Sequence, residues 1–178
     1  MNRRQAWADW GLSWRGWLDH RRGEWWLLAQ LLLIALLMLL PPWPAPGSMG
    51  FAWPLALFLS GWLLVLISLA LAIQALWRLG PSLTPLPDPK PGAPLVTTGA
   101  YGRCRHPLYQ ALVLGGLGCS LAWPSLLHLL LTVALAAVLV GKAHREERLL
   151  MAQHPDYLAY RSGTPAILPG LPWLDWRH

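Results

Sequence analysis

The distribution of charge constrains this 178-residue chain more than any other feature. All 14 arginines and lysines fall at 3–22, at 78–105 or from 142 onward, and long apolar stretches lie between those blocks. Residues 25–40, WWLLAQLLLIALLMLL, carry no charge and stop at Pro41-Pro42. At 1.5 Å per residue they reach about 24 Å, slightly short of a bilayer core of about 30 Å. A second run opens at Pro54, well placed as a first helical residue, and continues to about Trp77, a reach of about 36 Å that allows some tilt. Residues 108–122 and 126–141 are two further apolar segments joined by Trp123-Pro124-Ser125, both short enough to suggest a close-packed hairpin whose ends sit partly in a protein-lined cavity. Gly115, Gly116 and Gly118 permit close backbone approach within it.

These runs predict an all-α fold, a polytopic membrane bundle of about four transmembrane helices. Composition agrees: a chain 55% hydrophobic and 12% charged has more apolar surface than a soluble domain of this size can hide. The net charge of +6 raises nucleic acid as a partner, but the basic residues are interrupted by apolar runs and form no continuous stripe, so none is expected. Positive charge gathered at the cytoplasmic ends of spans accounts for it better, and puts both termini in the cytoplasm, with a bacterial inner membrane as the expected setting. Cys104 and Cys119 have neither the number nor the spacing of a disulfide framework or a zinc site, and no metal is expected.

Three sections follow along the chain. Residues 1–24 lack the early apolar core of a signal peptide. Trp7, Trp10, Trp14 and Trp17 share one helical face there, with arginines largely elsewhere, which suits an interfacial helix in the headgroup layer or equally a stripe packed on the protein's own spans. Residues 25–77 hold two transmembrane helices, and residues 78–178 the remainder. The latter opens with RLGPSLTPLPDPKPGAPLVTT, whose six prolines exclude a helix and predict a loop more often used as a lid or binding segment than as a tether. It closes with a helical tail expected in the cytosol.

Chemistry concentrates at the two ends of the predicted hairpin. GAYGRCRHPLY puts Arg103, Arg105, His106 and Tyr109 against the start of one apolar segment, and KAHREERLL puts Glu146 and Glu147 at the end of the other, so both clusters belong on the same membrane face. Pro107 fits the first helical position, and that helix start, with the Arg105 guanidinium beside it, offers an anion site for a carboxylate or a phosphate. The glutamates suit ribose hydroxyls, an ammonium or pairing with Arg103 or Arg105. A solvated helix extension explains the same charges almost as well, since Lys142 and Glu146 stand four apart. His128, alone inside an apolar segment, is expected to be satisfied by a neighbour.

LVTTGAYGRCRHPLYQALVLGGLG, then HREERLL, then HPDYLAYRSGTPAILPGL together resemble the isoprenylcysteine carboxyl methyltransferase family and, through its C-terminal half, the phospholipid methyltransferases. The resemblance covers residues 95–172. It departs from the family pattern at Ala100, Gly102, Cys104 and Ala111, none of them an ionisable member of the site. It implies an integral-membrane enzyme that moves a methyl group from S-adenosylmethionine to a lipophilic or small acceptor, a carboxylate, thiol or amine, at the cytosolic membrane face, with membrane lipid as its surroundings. It implies cofactor-binding roles for Tyr101, Arg105, His106, Pro107, Tyr109, Glu146, Glu147, Tyr157, Tyr160 and Arg161, with Arg105 and Glu146 catalytic. Two other readings stand beside it: a membrane reductase of the sterol-reductase kind using a nicotinamide cofactor, and a non-enzymatic protein whose basic cluster binds anionic lipid.

Overall fold

The computed structural model describes residues 23–45, 47, 48, 50, 52–89 and 92–177, so the tryptophan-striped segment at 1–22 lies outside the described residues. The described chain is all-helical: α1 (Glu24–Leu39), α2 (Leu55–Leu79), α3 (Pro107–Ala122), α4 (Leu126–Gln153) and the short α5 (Tyr157–Gly163), with single 3-10 turns at Gly80–Ser82 and Gly99–Gly102. Local chemistry sets the boundaries. Pro107 occupies the first position of α3, where its missing N–H costs nothing, and His106 precedes it as the cap residue. Ser125 caps α4 by accepting from the backbone N–H of His128 at 3.2 Å. No breaker interrupts α4 until Pro155, and the helix runs to Gln153.

Small residues decide which helices touch. The tightest pairing is α2 on α3, where the backbones meet at Gly61 and Gly118. A Cβ on Gly118 would stand 2.8 Å from the Gly61 carbonyl oxygen and 3.0 Å from the Val65 nitrogen, which leaves no room for a side chain. Between α3 and α4, Gly116 makes space for Thr132; between α1 and α4, Gly141 receives the Trp26 indole. Leu33, Ile34 and Leu37 of α1 pack on Val113, Leu135 and Leu139, and the same cluster takes in Ala166, Ile167 and Leu174 from the tail.

The two short connections dock on each other at one end of the bundle. Ser125 Oγ accepts from the Trp43 backbone N–H at 3.1 Å, Leu127 N–H reaches the Trp43 carbonyl at 3.2 Å, and the Trp53 indole donates to the Leu121 carbonyl at 2.9 Å. His128, expected to find a neighbour, places Nδ1 2.7 Å from Ser125 Oγ. This arrangement leaves the end of α2, the start of α3 and the charged part of α4 together at the opposite end.

Among the described residues, two helices, α2 and α4, are long and apolar enough to cross a membrane. Only 11% of the apolar window of α2 is buried, so Leu59, Leu63, Leu66 and Leu69 project from the bundle and need lipid, not water, as their solvent. The chain is a membrane protein on this ground. Helices α1 and α3 are 16 residues each, about 24 Å, and by length alone fall below a full crossing.

Two outcomes follow from this packing. Gly118→Leu is expected to force α2 from α3 and to destabilise the bundle by about 1–3 kcal/mol or more, read as a lowered melting temperature in detergent. Cys104 is 2% exposed, donates its S–H to the Ala166 carbonyl at 3.0 Å, and burial pushes its thiol up to about 12. It therefore stays protonated near neutrality, and a maleimide at pH 8 should leave it unmodified until the protein is denatured, as followed by peptide mass.

Candidate active site

The charged ends of α3 and α4 meet, as their positions on one hairpin require, and they meet around Glu147. Its side chain is only 2% exposed, and both oxygens are filled. Oε1 accepts from Arg105 Nε at 2.8 Å and lies 2.9 Å from His106 Nε2; Oε2 accepts from the Trp176 indole N–H at 2.9 Å and faces Arg105 Nη2 at 3.4 Å. Beside a guanidinium, Glu147 is a carboxylate that can only accept, so His106 donates through Nε2. The imidazole stacks flat on Tyr109, with 1° between the planes and 5.2 Å between centroids, and its Nδ1 lies 3.8 Å from Glu146 Oε2. Glu146 in turn accepts from the Tyr109 hydroxyl at 2.9 Å.

Arg105 has little left to offer an external anion. Its side chain is fully buried, and beyond Glu147 it donates through Nη1 to the carbonyls of Arg161, at 2.9 Å, and Thr164. The backbone N–H groups of Arg105 and His106 are likewise taken, by Pro165 and Ala166. The expected open anion site at this helix start is therefore occupied from within by Glu147 and tail carbonyls, the internal partners that a buried guanidinium needs.

In front of this centre lies a cleft of about 650 Å³, including the solvent at its mouth. Tyr101, Arg105, His106, Glu146, Tyr157 and Tyr160 line it, together with Leu150 and His154 of the α4 end. Pro107, Tyr109, Glu147 and Arg161 stand behind that wall. Arg161 supports it, with Nε 3.8 Å from Glu147 Oε2 and donation to the Trp176 carbonyl at 3.4 Å. The far wall is the proline-rich segment, contributing Ser82, Thr84, Pro89, Ala93, Pro94, Leu95 and Val96. Burial pushes the hydroxyls of Tyr101, Tyr157 and Tyr160 above the ordinary phenol range, and they stand in the cleft as neutral groups. Tyr160 spends its proton on the Tyr101 carbonyl at 2.5 Å, which ties α5 to the Gly99–Gly102 turn.

Lys142 does not belong to a solvated helix face. At 3% exposure it donates to Gln30 of α1 and to the Pro85 carbonyl, both at 2.8 Å, and its Nζ lies 5.4 Å from the centre of the Tyr109 ring. Arg145 Nε reaches Asp88 Oδ1 at 3.2 Å, a second strap from α4 to the loop. Arg103 turns away from the glutamates to Gln74, at 2.6 Å. Sequence reasoning missed Trp176 and the tail carbonyls: one tryptophan among 13 carries no distinguishing spacing, and a backbone acceptor has no residue signature. Among the described residues, no group of three or more His, Cys, Asp or Glu side chains is placed to hold a metal ion.

Comparison with known proteins adds the following. Residues 56–155 match the phospholipid methyltransferase family. The chain is 38% identical over 78 residues to the cobalt-zinc-cadmium resistance protein CzcN of Cupriavidus metallidurans, covering 43% of this chain and 36% of that protein. It is 30% identical over 153 residues to the nickel-cobalt-cadmium resistance protein NccN of Alcaligenes xylosoxydans xylosoxydans, covering 85% of this chain and 66% of that protein. The chain thus spans less than two thirds of the length of either relative. No solved structure matches. The family match takes in α2, the proline-rich wall, the arginine-histidine cluster and the glutamate pair, more than half of the chain, and by it this protein belongs to the phospholipid methyltransferases.

Proposed function

We propose that this protein transfers a methyl group from S-adenosylmethionine to a lipophilic or small acceptor, a carboxylate, thiol or amine, in the cleft between the proline-rich wall and the ends of α3 and α4. One observation carries the reading: six of the ten residues that the resemblance implies for the cofactor, Tyr101, Arg105, His106, Glu146, Tyr157 and Tyr160, line a single cleft. The donor set fits an amino-acid cofactor carrying a cation and ribose hydroxyls. Glu146 supplies a carboxylate, and Tyr101, Tyr157 and Tyr160 supply aromatic faces, each worth about 0.5–2 kcal/mol against a cation.

S-adenosylmethionine, when bound, supplies a methyl group on an electrophilic sulfonium. The protein's own part is alignment and exclusion of water. Glu146, held by Tyr109, presents a fixed negative charge to the cleft, and Arg105 locks the α3 start to α4 and the tail so that the wall does not move. Leu79, Leu95, Val96 and Leu150 add apolar surface to the lining, which suits a lipophilic acceptor.

The same reading puts all four long helices across the bilayer, α1 and α3 being accommodated by local thinning and by their partners, with the cleft, the tail and both termini on the cytoplasmic side of a bacterial inner membrane. The described basic residues at 78–105 and from 142 onward fall toward the cleft end of the bundle, which supports that orientation.

The test is equilibrium binding of labelled S-adenosylmethionine to detergent-purified protein. Wild type is expected to bind in the micromolar range or tighter, and Glu146→Gln to bind about tenfold or more weakly at an unchanged melting temperature, as the loss of one charge-assisted contact requires. Folded wild-type protein that binds none at millimolar cofactor would overturn the assignment.

A further inference from the structure

We infer that Trp176 is a positioning residue of this cleft: its indole N–H fixes Glu147, and through Glu147 it sets which nitrogen of His106 faces Glu146. Trp176 lies well outside the residues that match the family, in a tail with no helix after Gly163. The chain nevertheless returns it to the centre. Its Nε1 donates to Glu147 Oε2 at 2.9 Å, its ring lies 4.2 Å from His144 and 6.4 Å from His106, the Arg105 guanidinium carbon sits 5.9 Å from its centroid, and its carbonyl accepts from Arg161. Nearby Trp173 shows the contrast, with its ring about half exposed.

The N–H matters because of how Glu147 divides its oxygens. Oε1 is shared by Arg105 Nε and His106 Nε2 at 2.8 and 2.9 Å. Without the indole, Oε2 would keep only the long approaches of Arg105 at 3.4 Å and Arg161 at 3.8 Å. The carboxylate would then be free to turn and offer Oε2 to the guanidinium, and the short contact with His106 would loosen. Held as it is, Glu147 engages the Nε2–H of His106, leaves Nδ1 on the Glu146 side at 3.8 Å, and keeps the ring flat on Tyr109. An orienting carboxylate that is itself pinned by a third group is how a site holds one imidazole orientation.

The inference draws on the proposed cofactor reading for one of its two measurements only. Full-length protein in detergent, labelled with ¹⁵N-histidine, reports hydrogen bonding at each ring nitrogen through its ring nitrogen shifts, with His106 identified by the signal lost in His106→Gln. Wild type is expected to show a protonated, hydrogen-bonded Nε2. Trp176→Phe keeps an aromatic ring against His144 and removes the N–H; replacing Trp176 with β-(3-benzothienyl)alanine puts sulfur in place of the N–H with the shape unchanged, and decides the matter should the phenylalanine variant fold poorly. In either variant the His106 Nε2 signal should shift as its hydrogen bond to Glu147 loosens while the melting temperature stays close to wild type, and affinity for S-adenosylmethionine should fall about tenfold. A wild-type Nε2 signal retained in the benzothienyl protein overturns the inference and leaves Trp176 as packing alone. Wild type that binds no cofactor sinks the cofactor reading instead, and the ring-nitrogen measurement still decides the role of Trp176.

Discussion

The centre of this molecule depends on one buried carboxylate. Glu147 sits at the charged end of an apolar bundle with almost no access to water, where an ionised group survives only if its hydrogen bonds are made by the protein. Arg105 and His106 at the start of α3 and Trp176 in the tail make them. Satisfying that one group therefore pulls the start of α3, the extension of α4 and the tail into a single arrangement. Removing the charged partner, Arg105, from such a buried pair costs about 3–5 kcal/mol, so the ion pair is a determinant of the fold at this end.

The proline-rich wall is held by the same logic at lower cost. Among the described residues it has no ladder or helix of its own between Ser82 and Gly99, and α4 supports it through Lys142 to the Pro85 carbonyl and Arg145 to Asp88. Prolines restrict the alternatives open to an unfastened loop, so few contacts are enough to hold one shape. Buried Leu86 and Pro87 complete the attachment, and Gly23, at φ +80°, leaves the space beside the start of α1 that the Pro87 ring fills.

The helices and their limits were legible in the sequence because they rest on local signals. Uncharged runs marked α1 to α4, Pro107 and Ser125 marked two starts, and the lack of a breaker before Pro155 gave α4 its charged extension. The meeting of the arginine-histidine and glutamate clusters was legible too, since a three-residue turn allows the hairpin little else. Partner choice was not. Arg105 looked available for an outside anion because nothing in its neighbours announces that the carbonyls of Arg161 and Thr164 will take its donors. Lys142 looked solvated because its i+4 partner was visible and Gln30, 112 residues away, was not. How α1 and α3 sit in a bilayer is unreadable for a different reason: 16 residues is a length that packing, and not hydropathy, resolves.

The tail makes the order of synthesis matter. Pro165 and Ala166 close the backbone at the head of α3, and position 176 completes the carboxylate's shell. While a ribosome still holds those residues, the four long helices are already free to pair, yet their polar end stays unfinished. A nascent chain is thus a helical bundle with an open carboxylate shell, which closes only once translation has passed the last of these positions.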